Sequence, residues 1–181
     1  MTSDALSLDG AARSAPGQQT SWRSVMGIAM TLREYLDDKH VDYDVMVHKR
    51  TQCAQDSARA SHVPAERLAK AVVLTCEGGF VIAVVPASSK VQLDTIEKML
   101  HCHVEVATEE EISELFPDCE TGAVPPLAEP YAVDAFIDES LDEQPDIYLE
   151  GGDHRSLIHI PGSQFRALTK NVRHARISTP A

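Results

Sequence analysis

The chain contains 181 residues, of which 43% are hydrophobic, and its 16 lysines and arginines against 28 aspartates and glutamates give a net charge of −12. This size and composition are typical of one soluble globular domain, and no apolar run approaches the roughly 18 residues that a membrane-spanning helix needs. The acidic balance also argues against a protein that coats DNA non-specifically, because such binding relies on lysines and arginines that neutralise phosphates.

The N-terminal segment is rich in Ser, Gly, Ala, Gln and Thr and shows little periodicity. It lacks the ~7–15-residue apolar core of a signal peptide, so we expect a mobile extension over residues 1–30. Met30 stands directly before the first strong helix signal, so it could equally be the functional start.

Two helices and a strand are predicted next. The sequence Thr-Leu-Arg-Glu at 31–34 has the pattern of a capping box, which predicts a helix to about His40. Residues 42–48 alternate in the manner of a half-buried strand. Thr51 is then placed to cap a second helix that ends near Ala60.

The middle of the chain predicts a hairpin and two helices. Valine-rich runs over 69–76 and 80–86 flank a Gly-Gly pair, which favours a tight turn between antiparallel strands. Capping signals at 94–97 and 108–111 each precede apolar residues at helical spacing and therefore predict two more helices.

The last third of the chain predicts three short strands, over 132–138, 146–150 and 157–160, and a closing helix over 163–171. Hairpins and helices are thus mixed along the chain rather than strictly alternating. We therefore expect an α+β domain built on a mixed, largely antiparallel sheet.

Charge is distributed unevenly along the sequence. From Glu105 to Asp153 there are sixteen acidic residues and no lysine or arginine. The stretch from Arg155 to the end has the opposite sign: it contains no carboxylate side chain and carries Arg155, Arg166, Lys170, Arg173 and Arg176. These cations are either a solvated surface or contacts to phosphates, and the sequence leaves both readings open.

Lys70 is the first candidate for chemistry. It lies inside an otherwise apolar strand, on the same predicted face as Val72 and Leu74. Burying an unpaired lysine is costly, so either the side chain reaches solvent or the site keeps a positive charge for an anion or a carbonyl dipole.

Two glycine-containing segments are the next candidates. Residues 122–126, Gly-Ala-Val-Pro-Pro, form a loop whose amide N–H groups could be held toward a ligand oxygen, or a simple turn. Gly151, Gly152 and His154 belong to a segment that either brings backbone close to a cleft or forms a plain hairpin turn.

Other chemistries find less support. His101 and His103 lack the further ligands of a zinc site, so no metal or other cofactor is expected. Cys53 and His48 form no recognisable nucleophile and base pair, and the four cysteines contain no CxxC pair and are read as reduced thiols of a cytoplasmic protein. The glycine motifs of dinucleotide and nucleoside-triphosphate sites are absent from the sequence.

Taken together and in order, eight segments resemble the YbaK family, the free-standing aminoacyl-tRNA deacylases related to the editing insertion of bacterial prolyl-tRNA synthetase. They are His48, Thr51, Ser57-Ala58, Lys70 to Leu74, Val84-Val85-Pro86, residues 122–126, Asp138 to Leu141 and Gly151-Gly152. The resemblance covers residues 31–172 and implies a deacylase domain there, followed by a basic C-terminal tail over 173–181. It also implies a sheet curled into a partial barrel with helices around it.

The resemblance further implies hydrolysis of the ester between a wrong amino acid and the tRNA 3′ end, by water, without a metal or a covalent nucleophile. The expected catalytic residues are Lys70, Gly122, Ala123 and Val124, and the expected substrate-binding residues are Thr51, Pro126, Gly151, Gly152 and His154. The substrate would be a small amino acid such as Ala, Cys or Ser on tRNA-Pro or a related tRNA. A synthetase or an elongation factor would be a possible protein partner, whereas DNA and membranes are not expected as partners.

One position departs from the pattern. Relatives of the cysteine-clearing type carry an aspartate where this chain has Leu157, so the side chain that is recognised stays open. Two other classes of function therefore remain: a non-catalytic module that binds a tRNA end, an amino acid or a protein, and a thiol hydrolase that uses Cys53.

Overall fold

A computed structural model of the protein describes residues 27–181. The extension predicted over 1–30 therefore lies almost wholly outside the described residues. The helices are α1 (Met30–Asp38), α2 (Ala54–Ala60), α3 (Leu93–Leu100), α4 (Glu109–Leu115) and α5 (Gly162–Leu168), with short 3-10 helices over Glu129–Tyr131 and Glu139–Leu141. The strands are β1 (Asp44–Val47), β2 (Leu68–Cys76), β3 (Gly79–Pro86), β4 (Ser89–Val91), β5 (Val104–Val106), β6 (Asp134–Asp138), β7 (Asp146–Glu150), β8 (Ser156–Pro161), β9 (Arg173–Ala175) and β10 (Ser178–Pro180).

Eight of these strands form one mixed sheet in the order β1-β8-β7-β2-β3-β6-β9, with β5 pairing to β2. The pairs β1–β8, β2–β3, β2–β5 and β7–β8 are antiparallel, whereas β2–β7, β3–β6 and β6–β9 are parallel. The sheet is open, since its end strands β1 and β9 do not pair with each other among residues 27–181. The predicted α+β class and mixed sheet are confirmed.

The central β2–β3 hairpin was the clearest prediction, and it is confirmed with Cys76 opposite Gly79 and Ala69 opposite Pro86. Valine and isoleucine fill β3, which is buried from Val81 onward because helices cover both sides of the sheet. No helix within residues 27–181 is long and apolar enough to cross a membrane.

Alternate residues of β2 point to opposite sides of the sheet. Ala69 and Val73 point into the large core, which the sheet forms with α1 and α5. Leu68 points to the other side, where it packs with Ala58 of α2 and Leu157 of β8. We call this second side, where α2 covers the sheet, the α2 face.

The predicted capping box at 31–34 is wrong. α1 begins at Met30, and Thr31 lies inside the helix, where its amide N–H donates to the carboxylate of Asp118 at 2.8 Å. The helix start is thus satisfied by an acid 87 positions away along the chain, which also suits the positive end of the helix dipole.

Other predicted helix starts are mixed in outcome. α2 is capped at Cys53 rather than Thr51, and the signal at 94–97 does not cap α3, which begins after Gln92. The signal at 108–111 is confirmed: the Thr108 side chain accepts from the Glu111 amide, and the Glu111 carboxylate accepts in return from the amide of Thr108.

The C-terminal segment is more ordered than a tail. The predicted helix over 163–171 ends at Leu168, and residues beyond it form β9 against β6 and β10 against β4. Ile177, between these two strands, is fully buried. That burial, together with bonds to Asp138, holds the segment on the sheet.

Replacing Asp138 by asparagine is expected to lower the free energy of unfolding at pH 7 by about 1–2 kcal/mol. The buried Asp138 carboxylate accepts from the amide of Ile177 at 3.0 Å and from the Ser178 hydroxyl at 2.8 Å, and the amide of Ser140 donates to its other oxygen. An asparagine side chain retains only one of the two accepting oxygens. Chemical denaturation of both proteins measures the difference.

The same carboxylate gives that difference a pH dependence. Burial would raise the pKa of Asp138, but the hydrogen bonds from Ser140, Ser178 and Ile177 outweigh burial and hold its pKa below the ordinary value. The stabilisation is therefore complete above the ordinary aspartate pKa of about 3.9 and disappears as the pH falls through the lower folded-state value. An unfolding difference from the Asp138→Asn variant that stayed constant below pH 4 would contradict this assignment.

Candidate active site

Lys70 lies on β2 and points to the α2 face, because its neighbours Ala69 and Ala71 point into the large core. The side chain is half-buried, and its Nζ donates a hydrogen bond to the carbonyl oxygen of Ser89 at 2.6 Å. Desolvation lowers the pKa of Lys70, Cys53 opposes that effect and Lys90 adds to it. Within residues 27–181, the Ser89 carbonyl is the one hydrogen-bond partner of the ammonium group. Two of the three ammonium hydrogens therefore remain for a substrate.

Thr51 connects the start of α2 to the turn between β7 and β8. Its hydroxyl lies 2.7 Å from the Ser57 hydroxyl, and its amide N–H donates to the His154 carbonyl at 3.2 Å. Ser57 in turn donates to the carbonyl of Cys53. The Thr51 side chain, predicted to bind substrate, therefore already belongs to a hydrogen-bonded network beside α2.

The β7–β8 turn, residues 151–155, holds three other segments in place through its backbone carbonyls. The amide of Ala29 donates to Gly151 and that of Glu120 to Gly152, both at 2.7 Å. The amide of His48 donates to Arg155 at 2.8 Å. The segment is a hairpin turn, which was one of the two interpretations of its sequence. It also contacts the start of α1, the loop before residue 122 and the end of β1.

The Gly122 loop, residues 122–126, is fixed against this turn by His154. The buried His154 imidazole donates from Nε2 to the Thr121 carbonyl at 2.7 Å. Gly122 adopts a φ of +85°, and a Cβ there would lie 3.4 Å from the His154 ring. The structure thus brings together Gly122 and His154, which lie 32 positions apart in the sequence.

Within this loop, the backbone amides differ in their availability. The Ala123 amide donates to the Glu120 carbonyl at 3.0 Å, so it does not point to a ligand oxygen in this conformation. The amides of Gly122 and Val124 form no hydrogen bond with any residue of the described part of the chain. The side chains of residues 123–126 are buried, so Pro126 supports the loop from inside.

Glu150 is a residue that the sequence analysis missed. It ends β7 opposite Leu157 of β8, and it points to the α2 face, since Tyr148 two positions earlier packs there. Only 4% of its surface is exposed. Burial raises its pKa, and the nearby Ser57, His154 and His48 counteract that rise. An acid that ends the alternating strand Ile-Tyr-Leu just before Gly-Gly was the available signal.

Leu157 provides an apolar wall beside this carboxylate. It is fully buried and packs with Ala58, Leu68 and Ala87. The α2 face therefore carries an ammonium on β2, a carboxylate on β7 and an aliphatic side chain on β8.

The C-terminal cations do not gather at this site. Arg166 donates to the Asp142 carbonyl at 2.8 Å, and Arg173 stacks over Phe136 at the other edge of the sheet. Arg155 alone among them lies at the β7–β8 turn, where it joins two cations of the β1–α2 connection, Lys49 and Arg50.

Arg50 forms an ion pair with Glu120 at 2.5 Å, and Lys49 and Arg155 are exposed. Arg50 holds the pKa of Glu120 below its usual range, with a smaller effect of Arg155 in the same direction, which places both guanidinium groups near that carboxylate. The cations beside the candidate site therefore come from two short segments and not from the basic C-terminal stretch.

The two histidines considered for a metal site lie apart from this site. His101 caps the end of α3 at a φ of +57°, and His103 bonds Glu97, so these histidines precede β5 rather than sharing a strand face. Residues 27–181 contain no group of three or more His, Cys, Asp or Glu side chains that could hold a metal ion. All four cysteines are free thiols, and Cys53 is exposed.

Comparisons with known proteins agree with this fold. A sequence model described as an aminoacyl-tRNA editing domain matches residues 48–168. A solved structure provisionally described as a trans-editing enzyme for prolyl tRNA synthetase is 24% identical, with a TM-score of 0.72 over 83% of this chain and 96% of that one. A hypothetical protein designated APE2540 is 19% identical, with a TM-score of 0.73 over 82% of this chain and 99% of that one.

A larger protein also contains this fold. A protein of Marinobacter aquaeolei VT8, provisionally described as a signal transduction protein, is 16% identical with a TM-score of 0.66 over 82% of this chain, but the match spans only 30% of that protein. At these identities the structures establish the shared fold alone. No curated protein sequence matches the chain.

Proposed function

This chain belongs to the aminoacyl-tRNA editing domain family, and on that premise we propose that it is a trans-editing hydrolase that deacylates mischarged aminoacyl-tRNA. Residues 31–172 would form the deacylase domain. The observation that carries the proposal is Lys70: its ammonium is held by the Ser89 carbonyl on the α2 face, with two hydrogens left for a substrate.

An aminoacyl ester is already activated, so the protein needs mainly to position the water and to stabilise the charge that develops on the carbonyl oxygen. The oxygen of a water molecule bonds to the ester carbonyl carbon, the carbon–oxygen bond to the ribose breaks, and the ribose oxygen leaves with a proton as the free amino acid is released. Negative charge develops on the carbonyl oxygen, where Lys70 and the free amides of Gly122 and Val124 are the proposed donors. Thr51, Pro126, Gly151, Gly152 and His154 are then residues that shape and hold the site.

We assign a small amino acid such as Ala, Cys or Ser, on tRNA-Pro or a related tRNA, as the substrate. Leu157 and Ala58 pack together on the α2 face, and a small apolar pocket formed beside them would reject larger side chains by size. Leu157 offers no hydrogen bond to a polar side chain, so we expect alanine to be preferred over serine.

The tRNA would meet the protein at Lys49, Arg50 and Arg155 beside the site. Because the net charge is −12, the binding of tRNA alone should be weak and sensitive to salt. A synthetase or an elongation factor that delivers the tRNA in the cytoplasm would compensate for weak binding, and the acidic stretch from Glu105 to Asp153 offers such a partner a docking face.

A non-catalytic binding module is the second candidate. It is favoured by the Ala123 amide, which is already bonded within the loop, and by Leu157, where relatives of the cysteine-clearing type carry an aspartate. This function predicts saturable binding of a tRNA end, an amino acid or a protein without ester cleavage.

The deciding measurement is deacylation by the purified protein of tRNA-Pro charged in separate reactions with alanine, cysteine, serine or proline, with other mischarged tRNAs for comparison. Cleavage of one mischarged species in preference to correctly charged prolyl-tRNA establishes editing. Binding of these tRNAs by a folded protein that cleaves none of them would establish the second candidate instead.

Replacing Cys53 by serine should leave the rate of deacylation within about twofold of the parent protein. Cys53 is the exposed N-cap of α2, and the proposed reaction has no thiol intermediate. Steady-state rates for the parent and Cys53→Ser proteins, each with and without an alkylating reagent, test this. A variant that lost activity would instead indicate a thiol hydrolase.

A further inference from the structure

We propose that Glu150 and His48 bind the α-ammonium group of the aminoacyl ester, and so select a substrate whose amino group is free. This inference rests on the proposed function and assigns two further binding residues to the same site. It starts from two polar atoms that the described part of the chain leaves without partners.

The first atom is Oε2 of Glu150. It is enclosed and has no hydrogen-bond partner among residues 27–181, although the Ser57 hydroxyl lies near enough to the carboxyl group to lower its pKa. No lysine, arginine or histidine of the described chain lies within ion-pair distance of this carboxylate. Removing a carboxylate from water without a compensating cation is costly. An acceptor of this kind on the α2 face is therefore suited to a cation supplied from outside.

The second atom is Nε2 of His48, which is enclosed and unpartnered in the same way. The other ring nitrogen, Nδ1, lies 2.6 Å from the carbonyl oxygen of Lys49. A carbonyl oxygen can only accept, so Nδ1 carries a proton. With that single proton on the ring, Nε2 is an acceptor. Met46 of β1 and Glu150 of β7 both lie opposite Leu157 of β8, so His48, two positions after Met46, lies on the same face as Glu150.

Two unpartnered acceptors on one face can be satisfied by one group with several donor hydrogens. An ammonium group has three, and its positive charge also compensates the buried carboxylate. A neutral amide has one hydrogen and no charge, so an N-acylated amino acid would leave one acceptor unpaired.

The positions of Lys70 and Glu150 on neighbouring strands define how an aminoacyl ester would be oriented in the site. In the parallel pairing of β2 with β7, Ala69 lies beside Leu149, so Lys70 and Glu150 are the next residues on neighbouring strands and point to the same face. Strands in a sheet are about 4.8 Å apart, yet these two side chains do not form an ion pair. An aminoacyl ester placed between them would direct its ammonium to Glu150 and its carbonyl oxygen to Lys70.

The test uses one tRNA carrying the amino acid that the protein removes fastest, either with a free amino group or N-acetylated, and measures kcat/KM for both esters. The parent protein is expected to prefer the free amine by about 10–100-fold. Glu150→Gln should lose about that factor on the free amine and little on the N-acetyl ester, so that the ratio approaches one. Glu110→Gln, at an exposed position of α4, is the matched control and should keep the parent ratio.

Each result has a separate meaning. If the parent protein cleaves neither ester, the proposed function fails and this inference fails with it. If the parent cleaves both esters equally, or if Glu150→Gln slows both by the same factor, deacylation stands and ammonium binding is wrong. Should Glu150→Gln not fold, His48→Ala with the same pair of esters decides: the ratio must fall severalfold, and an unchanged ratio overturns the inference.

Discussion

Replacing Lys70 by alanine is expected to reduce kcat/KM for deacylation by about 10²–10³-fold, the usual cost of removing one preorganised donor to a developing oxyanion. The half-buried ammonium is held 2.6 Å from the Ser89 carbonyl, so it needs little reorganisation when charge develops on the substrate. Steady-state deacylation of the preferred mischarged tRNA measures the loss.

The fold should survive this change, because Lys70 forms no ion pair among residues 27–181 and its removal therefore leaves no newly unpaired buried charge. Lys98→Ala, at an exposed position of α3, is the matched control for loss of one positive charge and should retain the parent rate. A Lys70→Ala protein with circular dichroism and thermal unfolding like the parent and with full activity would remove Lys70 from the mechanism.

Replacing Gly152 by alanine is expected to lower the free energy of unfolding by about 2–4 kcal/mol, from backbone strain and overpacking together. Gly152 has a φ of +112°, which side-chain-bearing residues rarely adopt. An added Cβ would also lie 2.9 Å from Cβ and 3.3 Å from the amide nitrogen of Ala29, at the start of α1. Neither neighbour is a flexible side-chain end that could move aside.

Gly79→Ala provides the comparison, since a Cβ at Gly79 would meet no atom within 4 Å and its φ is not positive. Urea unfolding of both variants and of the parent protein measures the difference. Deacylation by the folded fraction of Gly152→Ala should also fall, because Gly152 and Gly151 hold the loop before Gly122 and the start of α1. Equal stability of the two variants would show that the β7–β8 turn accommodates a Cβ at residue 152 at little cost, and would contradict the prediction.

Local patterns were sufficient where neighbours in sequence are also neighbours in space. The β2–β3 hairpin follows from a Gly-Gly pair between two valine-rich runs, and the Thr108 capping box involves residues three positions apart. The alternation of β2 likewise placed Lys70 on one face of a strand before the structure identified what covers that face.

Long-range contacts explain what the sequence could not predict. The α1 start depends on Asp118, far along the chain, so the local pattern at Thr31 was misleading. Glu150 became a candidate only when α2 and β8 were seen to enclose it. In the same way, the occupied amide of Ala123 depends on how its loop closes on Glu120, and residue types alone do not fix that closure.

The pairing of β10 with β4 has a consequence for synthesis on the ribosome. Thr179 pairs with Lys90, next to Ser89, whose carbonyl holds the Lys70 ammonium. β4 is therefore made long before its only strand partner in this small sheet, and the support behind Lys70 is completed only after β10 has been made. A nascent chain should consequently acquire most of its central sheet before it acquires a fully positioned lysine, so the proposed hydrolysis would have to wait until β10 has been made.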